Sequence, residues 1–352
     1  MTVPIYVIAE AGVNHNGDID LACALIDAAA ECGADAVKFQ TFTAETLVTR
    51  TGPKAEYQRQ TTDAGESQFD MLKKLELAAD EHRVLQAHCR VRGIEFLSTP
   101  FSEDCADFLK TLDIDRFKIP SGEVTNLPFL RHVARFGKPV ILSTGMADLD
   151  EVIEAVAALR QAGCTDLTVL HCVTNYPAAP ATSNLRAMAT LRQALDLPVG
   201  WSDHTPGIEV ALAAAALGAC VIEKHLTLDK ALPGPDHSAS LNPVEFAAMM
   251  RGIRIVESAL GDGVKRPQPS EVPNIAIARK SLTALRAITR GEVIAADAIA
   301  ALRPATGLSP AFIDQVIGRR AAVDIEAGTS LQASMIEPPP HGTKTEGRPC
   351  EP

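Results

Sequence analysis

From the N-terminus to about Gly261, short apolar runs alternate with stretches whose apolar residues recur at helical spacing. The runs predict strands at "IYVIAEAG" (5–12), "DAVKFQTF" (35–42), "IEFLSTP" (94–100) and "RFKIPSG" (116–122), then at "VILSTG" (140–145), "LTVLHC" (167–172), "VGWSDH" (199–204) and "VIEKHL" (221–226). Between them the spacing predicts helices, among them 19–32, 149–162 and the alanine-rich 208–217. About eight strand–helix units is the number that closes a parallel (β/α)8 barrel, a TIM barrel. An open doubly wound sheet is the rival, but it usually carries a GxGxxG phosphate turn after its first strand, and "AGVNHNGD" lacks that form.

Near Gly261 the pattern breaks at "GDGVKRPQPSEVPN", rich in Pro, Gly and charge, which reads as a linker. The expected organisation is a barrel domain over 1–262, a linker over 263–278, a small β-rich domain of short strands and turns over 279–337, and a disordered tail over 338–352.

With 352 residues, 46% of them hydrophobic, the chain has ample material for a core and a second small domain. A formal net charge of -11 with no Lys/Arg run argues against nucleic-acid binding. It leaves room for an anionic small molecule, because local cations in a cleft outweigh the global field. The start "MTVPIYVIAEAG" has neither a basic nor a long apolar segment, so a soluble cytoplasmic protein is expected. The 8 cysteines are scattered with no CxxC, which disfavours both a disulfide framework and a thiolate zinc site.

Candidate chemistry sits at the carboxyl ends of the strands, where a barrel gathers its catalytic groups. These ends carry Glu10, Lys38, Gln40, Thr99, Lys118, Ser121, Glu123, Ser143, Thr144, His171, Ser202, His204, Glu223 and His225. Residues two apart on a strand share a face, so Lys38/Gln40, Ser202/His204 and Glu223/His225 can each look into one mouth. Lys224 and Asp203 then point away or support from behind. Two imidazoles with oxygen ligands suit Mn²⁺ or a similar divalent cation, and the two lysines with nearby hydroxyls suit a small doubly anionic molecule. The blander alternatives are an ion pair between Lys38 and Glu10 and structural roles for His15, His88 and His132. A thiol–imidazole pair of Cys172 with His171 is disfavoured, since strand neighbours face opposite sides.

In order along the chain, "IAEAGVNHNG", "GADAVKFQTF", "FLSTPF", "FKIPSGE", "ILSTGM", "LHCVTNYPA", "GWSDHT", "IEKHLTLD" and "GPDHSASL" resemble the sialic acid synthase family, and the C-terminal piece resembles its antifreeze-like SAF domain. The resemblance implies a metal-dependent condensation of phosphoenolpyruvate with an N-acetylated amino sugar and release of phosphate. N-acetylmannosamine is the first choice of sugar, and the 6-deoxy-diacetamido sugar leading to N,N'-diacetyllegionaminate the alternative. It implies that Lys38, Thr99, Lys118, Ser121, Ser143 and Ser202 hold phosphoenolpyruvate. Gln40, Tyr176 and Asp236 would contact the sugar, as would Glu123, while His204 and His225 bind Mn²⁺, with Mg²⁺ or Co²⁺ as substitutes. Arg303 in "LRPATG" matches the arginine that reaches the partner's site in a domain-swapped homodimer. Glu223, then Glu123, then Glu10 are the acid–base candidates. Two departures stand out: Val173, Thr174 and Asn175 follow "HC" where a Thr-Asn pair directly after it is common, and Ala305 stands in place of the glycine of the family's Arg-Pro-Gly. A barrel synthase for a phosphorylated sugar, and a non-catalytic carbohydrate-binding protein, are the rival functions. The first would need a second phosphate cradle, and the second predicts loss of the ionisable groups that are present.

Overall fold

The structure is a computed structural model and describes residues 3–63 and 65–338. The chain divides between Asp262 and Gly263 into two compact units. In the first, eight strands form one sheet: β1 (Tyr6–Gly12), β2 (Ala36–Thr41), β3 (Glu95–Pro100), β4 (Phe117–Ile119), β5 (Val140–Ser143), β6 (Leu167–Cys172), β7 (Val199–Asp203) and β8 (Val221–His225). Every pairing is parallel and the spatial order is β3-β2-β1-β8-β7-β6-β5-β4. The terminal strands β3 and β4 lie side by side, which makes a nearly closed ring. The (β/α)8 expectation holds, and the doubly wound alternative is excluded.

Each strand is followed by a helix on the outside: α1 (Ile19–Glu31), α2 (Ala79–Arg92), α3 (Glu103–Thr111), α4 (Leu127–Ala134), α5 (Leu149–Gln161), α6 (Ala187–Leu195), α7 (Glu209–Ala216) and α8 (Pro243–Leu260). Their starts are written in the sequence. Asp18 accepts from the amides of Asp20 and Leu21, Ser102 from that of Cys105, and Asp148 and Asn242 form capping boxes with Glu151 and Glu245. Each such cap stabilises its helix by about 1 kcal/mol.

Strand period divides the apolar residues between two cores. Val7, Val37, Phe96, Phe117, Val169, Trp201 and Ile222 face outward and pack under the helices. Ile8, Ala36, Leu97, Ile141, Leu170 and Val221 face inward and fill the ring. This inner layer is a dry floor, and whatever stands on it at the carboxyl ends of the strands is screened from water on one side.

The second unit contains α9 (Val272–Ala278), within the stretch expected as a linker, and an antiparallel pair of β9 (Ser281–Ala284) with β10 (Ile299–Leu302). Isolated bridges and a small core of Leu282, Ile288, Ile294, Ile299, Val316, Ile325 and Leu331 complete it. Apart from Pro338, the expected tail 338–352 lies outside the described residues. Among the described residues, no helix is long and apolar enough to cross a membrane, and seven cysteines are unpaired.

Candidate active site

One step above the apolar floor, the inward positions turn polar. Register places Glu10 opposite Lys38 and Ser202 opposite Glu223, so groups far apart in sequence meet across adjacent strands. Lys38 Nζ lies 2.7 Å from Glu10 Oε2 and 3.8 Å from Glu223 Oε2, and it donates to Thr99 Oγ1 at 3.0 Å. Lys118 Nζ lies 3.5 Å from Glu223 Oε1, which also accepts from Ser202 Oγ at 3.0 Å. The Lys38–Glu10 ion pair weighed from the sequence is therefore real, and it forms one wall of the site. All four ionisable groups are buried to 4% exposure or less. Such burial costs several kcal/mol per unpaired charge, and two acids against two bases balance it.

These groups border a cavity of about 190 Å³, which Gln40, Ser121, Ser143, Tyr176, His204 and His225 also line. Ser121 Oγ accepts from the Gly145 amide at 2.9 Å, while Ser143 Oγ is buried with no partner among the described residues. Two glycines make the approach possible. At Gly12, where β1 bulges and φ is +54°, a Cβ would stand 3.3 Å from Glu10 Oε1 and 3.6 Å from His225 Cε1. At Gly145 it would stand 2.1 Å from Thr174 Oγ1, closer than any real contact.

The two carboxyls have opposite electrostatic fates. Burial pushes Glu10 up to about 7, only partly countered by Lys38. Glu223 is equally buried, but Lys118, Lys38 and the Ser202 hydroxyl outweigh desolvation and hold it below the ordinary carboxylate value. Environments that split a carboxylate pair in this way assign its roles. These surroundings favour the charged form of Glu223 and the protonated form of Glu10. Burial lowers Lys118, whereas Glu10 and Glu223 keep Lys38 above its usual value against the same burial.

Behind the sheet, Lys224 Nζ lies 2.8 Å from Asp203 Oδ2 and also donates to the Thr205 carbonyl. Asp203 Oδ1 accepts from the Thr205 amide and hydroxyl at 2.9 and 2.8 Å. This sealed network joins the ends of β7 and β8 and fixes the strand positions from which His204 and His225 project into the mouth.

Not every expected residue joins the cavity. Pro120 ends β4, and Ser121–Glu123 is a turn of 3₁₀ helix. The turn swings Ser121 inward and Glu123 out, where Glu123 Oε2 accepts from Asn126 Nδ2 at 2.6 Å. His171 faces the helices, packed on Trp201 with Nε2 3.0 Å from the Ser183 carbonyl. Asp236 is buried beside the site, with Oδ2 3.9 Å from His225 Nδ1, and burial raises its carboxyl to about 6. Arg303 is exposed in the second unit, beside the end of β10. His15, His88 and His132 are held by the Gly17 amide, Asp27 and Asp107.

Six lining residues were not singled out from the sequence as site groups: Phe101, Pro120, Gly122, Met146, Cys172 and Thr174. Cys172 had a readable signal. It lies opposite Ser202 in register, and two residues further on its Sγ stands 3.8 Å from His204 Nδ1. Thr174 Oγ1 is buried without a partner among the described residues.

His204 and His225 fit a shared cation. Their ring centroids are 5.4 Å apart, the spacing of two imidazoles bonded to one ion at about 2.1 Å each. His204 Nδ1 donates to the Val173 carbonyl at 2.7 Å, which leaves Nε2 to ligate. Among the described residues, His225 Nδ1 is buried without a hydrogen bond, and burial, His204 and the nearby lysines hold this imidazole well below its ordinary value. Among the described residues, no group of three or more His, Cys, Asp or Glu is arranged to hold an ion. The remaining ligands of an ion here would be substrate or water.

The barrel mouth thus gathers two buried lysines and two carboxylates with two imidazoles around one cavity. The chain belongs to the NeuB family, which it matches over residues 25–265, and residues 279–337 match the SAF domain. It is 48% identical to the N,N'-diacetyllegionaminic acid synthase of Legionella pneumophila over 94% of both chains. It is 49% identical to the enzyme of that name from Campylobacter jejuni, over 90% of this chain and 95% of the other. Among solved structures, the N-acetylneuraminic acid synthetase of Leptospira borgpetersenii, in complex with citrate, superposes with a TM-score of 0.69 at 35% identity, covering 78% of this chain and 90% of that one.

Proposed function

We propose that this enzyme condenses phosphoenolpyruvate with the 6-deoxy-diacetamido sugar to give N,N'-diacetyllegionaminate and phosphate. The observation that carries the reaction class is the buried Lys38–Glu10–Glu223–Lys118 set facing His204 and His225. For the sugar, the support is the identity of 48–49% to diacetyllegionaminic acid synthases against 35% to an N-acetylneuraminic acid synthetase. N-acetylmannosamine, the first choice from the motifs, becomes the alternative.

In this reading Lys38 and Lys118 hold the phosphate and carboxylate of phosphoenolpyruvate, with Thr99, Ser121, Ser143 and Ser202 supplying hydroxyls. Gln40, Tyr176 and Asp236 border the sugar. C3 of the enol bonds to the sugar's aldehyde carbon, whose C=O becomes a hydroxyl; water adds at C2, one of its protons ending on that hydroxyl oxygen, and phosphate leaves from C2 with the other as the C2 ketone forms. Glu10, as carboxylate, takes the proton of that water. Glu223 stays ionised and offsets the positive charge that develops at C2. A divalent cation held by His204 and His225, Mn²⁺ first, would supply Lewis-acid polarisation of the aldehyde oxygen. A homodimer in which Arg303 serves the other subunit's site is part of the reading, supported by the SAF match and the exposure of Arg303.

Parallel kcat/KM measurements with the two sugars, read as phosphate release, test the choice. The diacetamido sugar is expected to be preferred by about 10- to 100-fold, the range a few substituent contacts give. A preference for N-acetylmannosamine would return the assignment to the neuraminate synthases.

A further inference from the structure

β2 and β6 stand four places apart in the eight-strand order, on opposite sides of the mouth. The connection after β2 nevertheless brings Tyr57, on the short helix Glu56–Thr61, onto Tyr176 in the loop after β6. The rings stack with centroids 5.1 Å apart at 29°. Tyr176 lies in turn over His204, with centroids 4.1 Å apart at 35°, and meets His225 edge-on at 5.4 Å. Tyr57 thus backs, from the β2 connection, the ring that meets both imidazoles.

The contact is anchored. Lys54 Nζ donates to Thr62 Oγ1 at 3.0 Å and to the Asp63 carbonyl at 2.8 Å, which clamps the two ends of the short helix. Gln58 Oε1 accepts from the Ala55 amide at 3.0 Å and caps its start. Thr61 Oγ1 lies 3.4 Å from the carbonyl of Pro235, next to Asp236 on the rim after β8. Among the described residues, the Tyr57 hydroxyl receives a single long contact, 3.4 Å from Gln58 Nε2. Its ring, rather than its oxygen, therefore carries the interaction. Two of the chain's three tyrosines meet in this one stack.

We propose that Tyr57 is a positioning residue for the sugar: it holds Tyr176 over His204 and His225, so that the sugar's reacting end is confined between this aromatic roof and the imidazoles. The inference rests on the synthase reading and adds a residue to it. Because Tyr57 acts through Tyr176, its loss weakens sugar binding and leaves phosphoenolpyruvate, deeper between the lysines, untouched. An offset aromatic pair is worth about 0.5–1.5 kcal/mol beyond its buried area, which corresponds to roughly 2- to 12-fold in an equilibrium constant.

The test is steady-state kinetics of wild type, Tyr57→Ala, Tyr57→Leu and Tyr57→Phe with both substrates varied, together with a crystal structure of Tyr57→Ala. The expected result is a sugar KM raised about 2- to 12-fold in the Ala and Leu variants. The KM for phosphoenolpyruvate should stay unchanged, sugar KM should recover in Tyr57→Phe, and the Tyr176 ring should have left its place over His204. A packing role would lower the melting temperature without this split. Unchanged sugar KM in a folded Ala or Leu variant, or Tyr176 still seated on His204 in the Tyr57→Ala crystal, overturns the proposal. If wild type turns over neither sugar, the synthase reading fails, and the position of Tyr176 still decides the role of Tyr57.

Discussion

Replacing His225 by alanine is expected to lower turnover by about three orders of magnitude while the barrel stays folded, because Lewis-acid stabilisation is worth several kcal/mol and each 1.36 kcal/mol is tenfold in rate. The two effects separate because of where the ring sits. His225 projects from the end of β8 into the cavity, above the apolar floor, and among the described residues its Nδ1 makes no hydrogen bond. The β8 ladder to β1 and β7 and the Lys224–Asp203 clamp behind it remain. Phosphate release with saturating Mn²⁺, Mn²⁺ titration and thermal unfolding of the same sample check this. Turnover within tenfold of wild type would remove His225 from the metal and from the reaction.

The second large effect concerns Glu10. Its carboxyl is pushed up to about 7 from an ordinary 4.5, chiefly by burial. The folded chain therefore binds this proton more tightly than the unfolded chain. The group's contribution to stability is undiminished below pH 4.5, declines as pH rises through the interval up to about 7, and is lowest above it. Under the proposed role of Glu10 as base, activity would run the other way, since the carboxylate is the form that accepts a proton. The kcat/KM for the condensation should rise with pH through a limb near 7. Glu10→Gln should abolish that limb and lower kcat/KM by about 10²- to 10⁴-fold, the usual contribution of a general base. A pH–rate profile of the two proteins checks both statements. Survival of the limb in Glu10→Gln would move the base elsewhere.

Much of this site was legible before any coordinates. The eight apolar runs specified the ring, and parity at the strand ends placed Lys38, Gln40, Ser202, His204, Glu223 and His225 in one mouth, as found. Parity fails where the ladder stops. Pro120 turns the chain, so Ser121 enters the cavity against the alternation set by Lys118, and Glu123, its neighbour on the turn, is carried out. Sequence adjacency also misleads across strands. Cys172 was weighed against His171, on its own strand and facing the opposite side, whereas its neighbour is His204 on β7. The different electrostatic settings of Glu10 and Glu223 were unreadable because they depend on which lysine each one meets, a matter of register rather than composition. Tyr57 lay in an aperiodic connection with no strand or helix pattern to aim it, and only the structure shows that it backs Tyr176.

Diffraction from crystals soaked with Mn²⁺ and phosphoenolpyruvate, recorded at the manganese absorption edge, addresses the convergence itself. The expected map has one anomalous peak bonded to both His204 and His225 at about 2.1–2.2 Å, with the phosphate and carboxylate of phosphoenolpyruvate lying against Lys38 and Lys118. A peak that touches only one of these imidazoles, or phosphoenolpyruvate bound away from the two lysines, would contradict it.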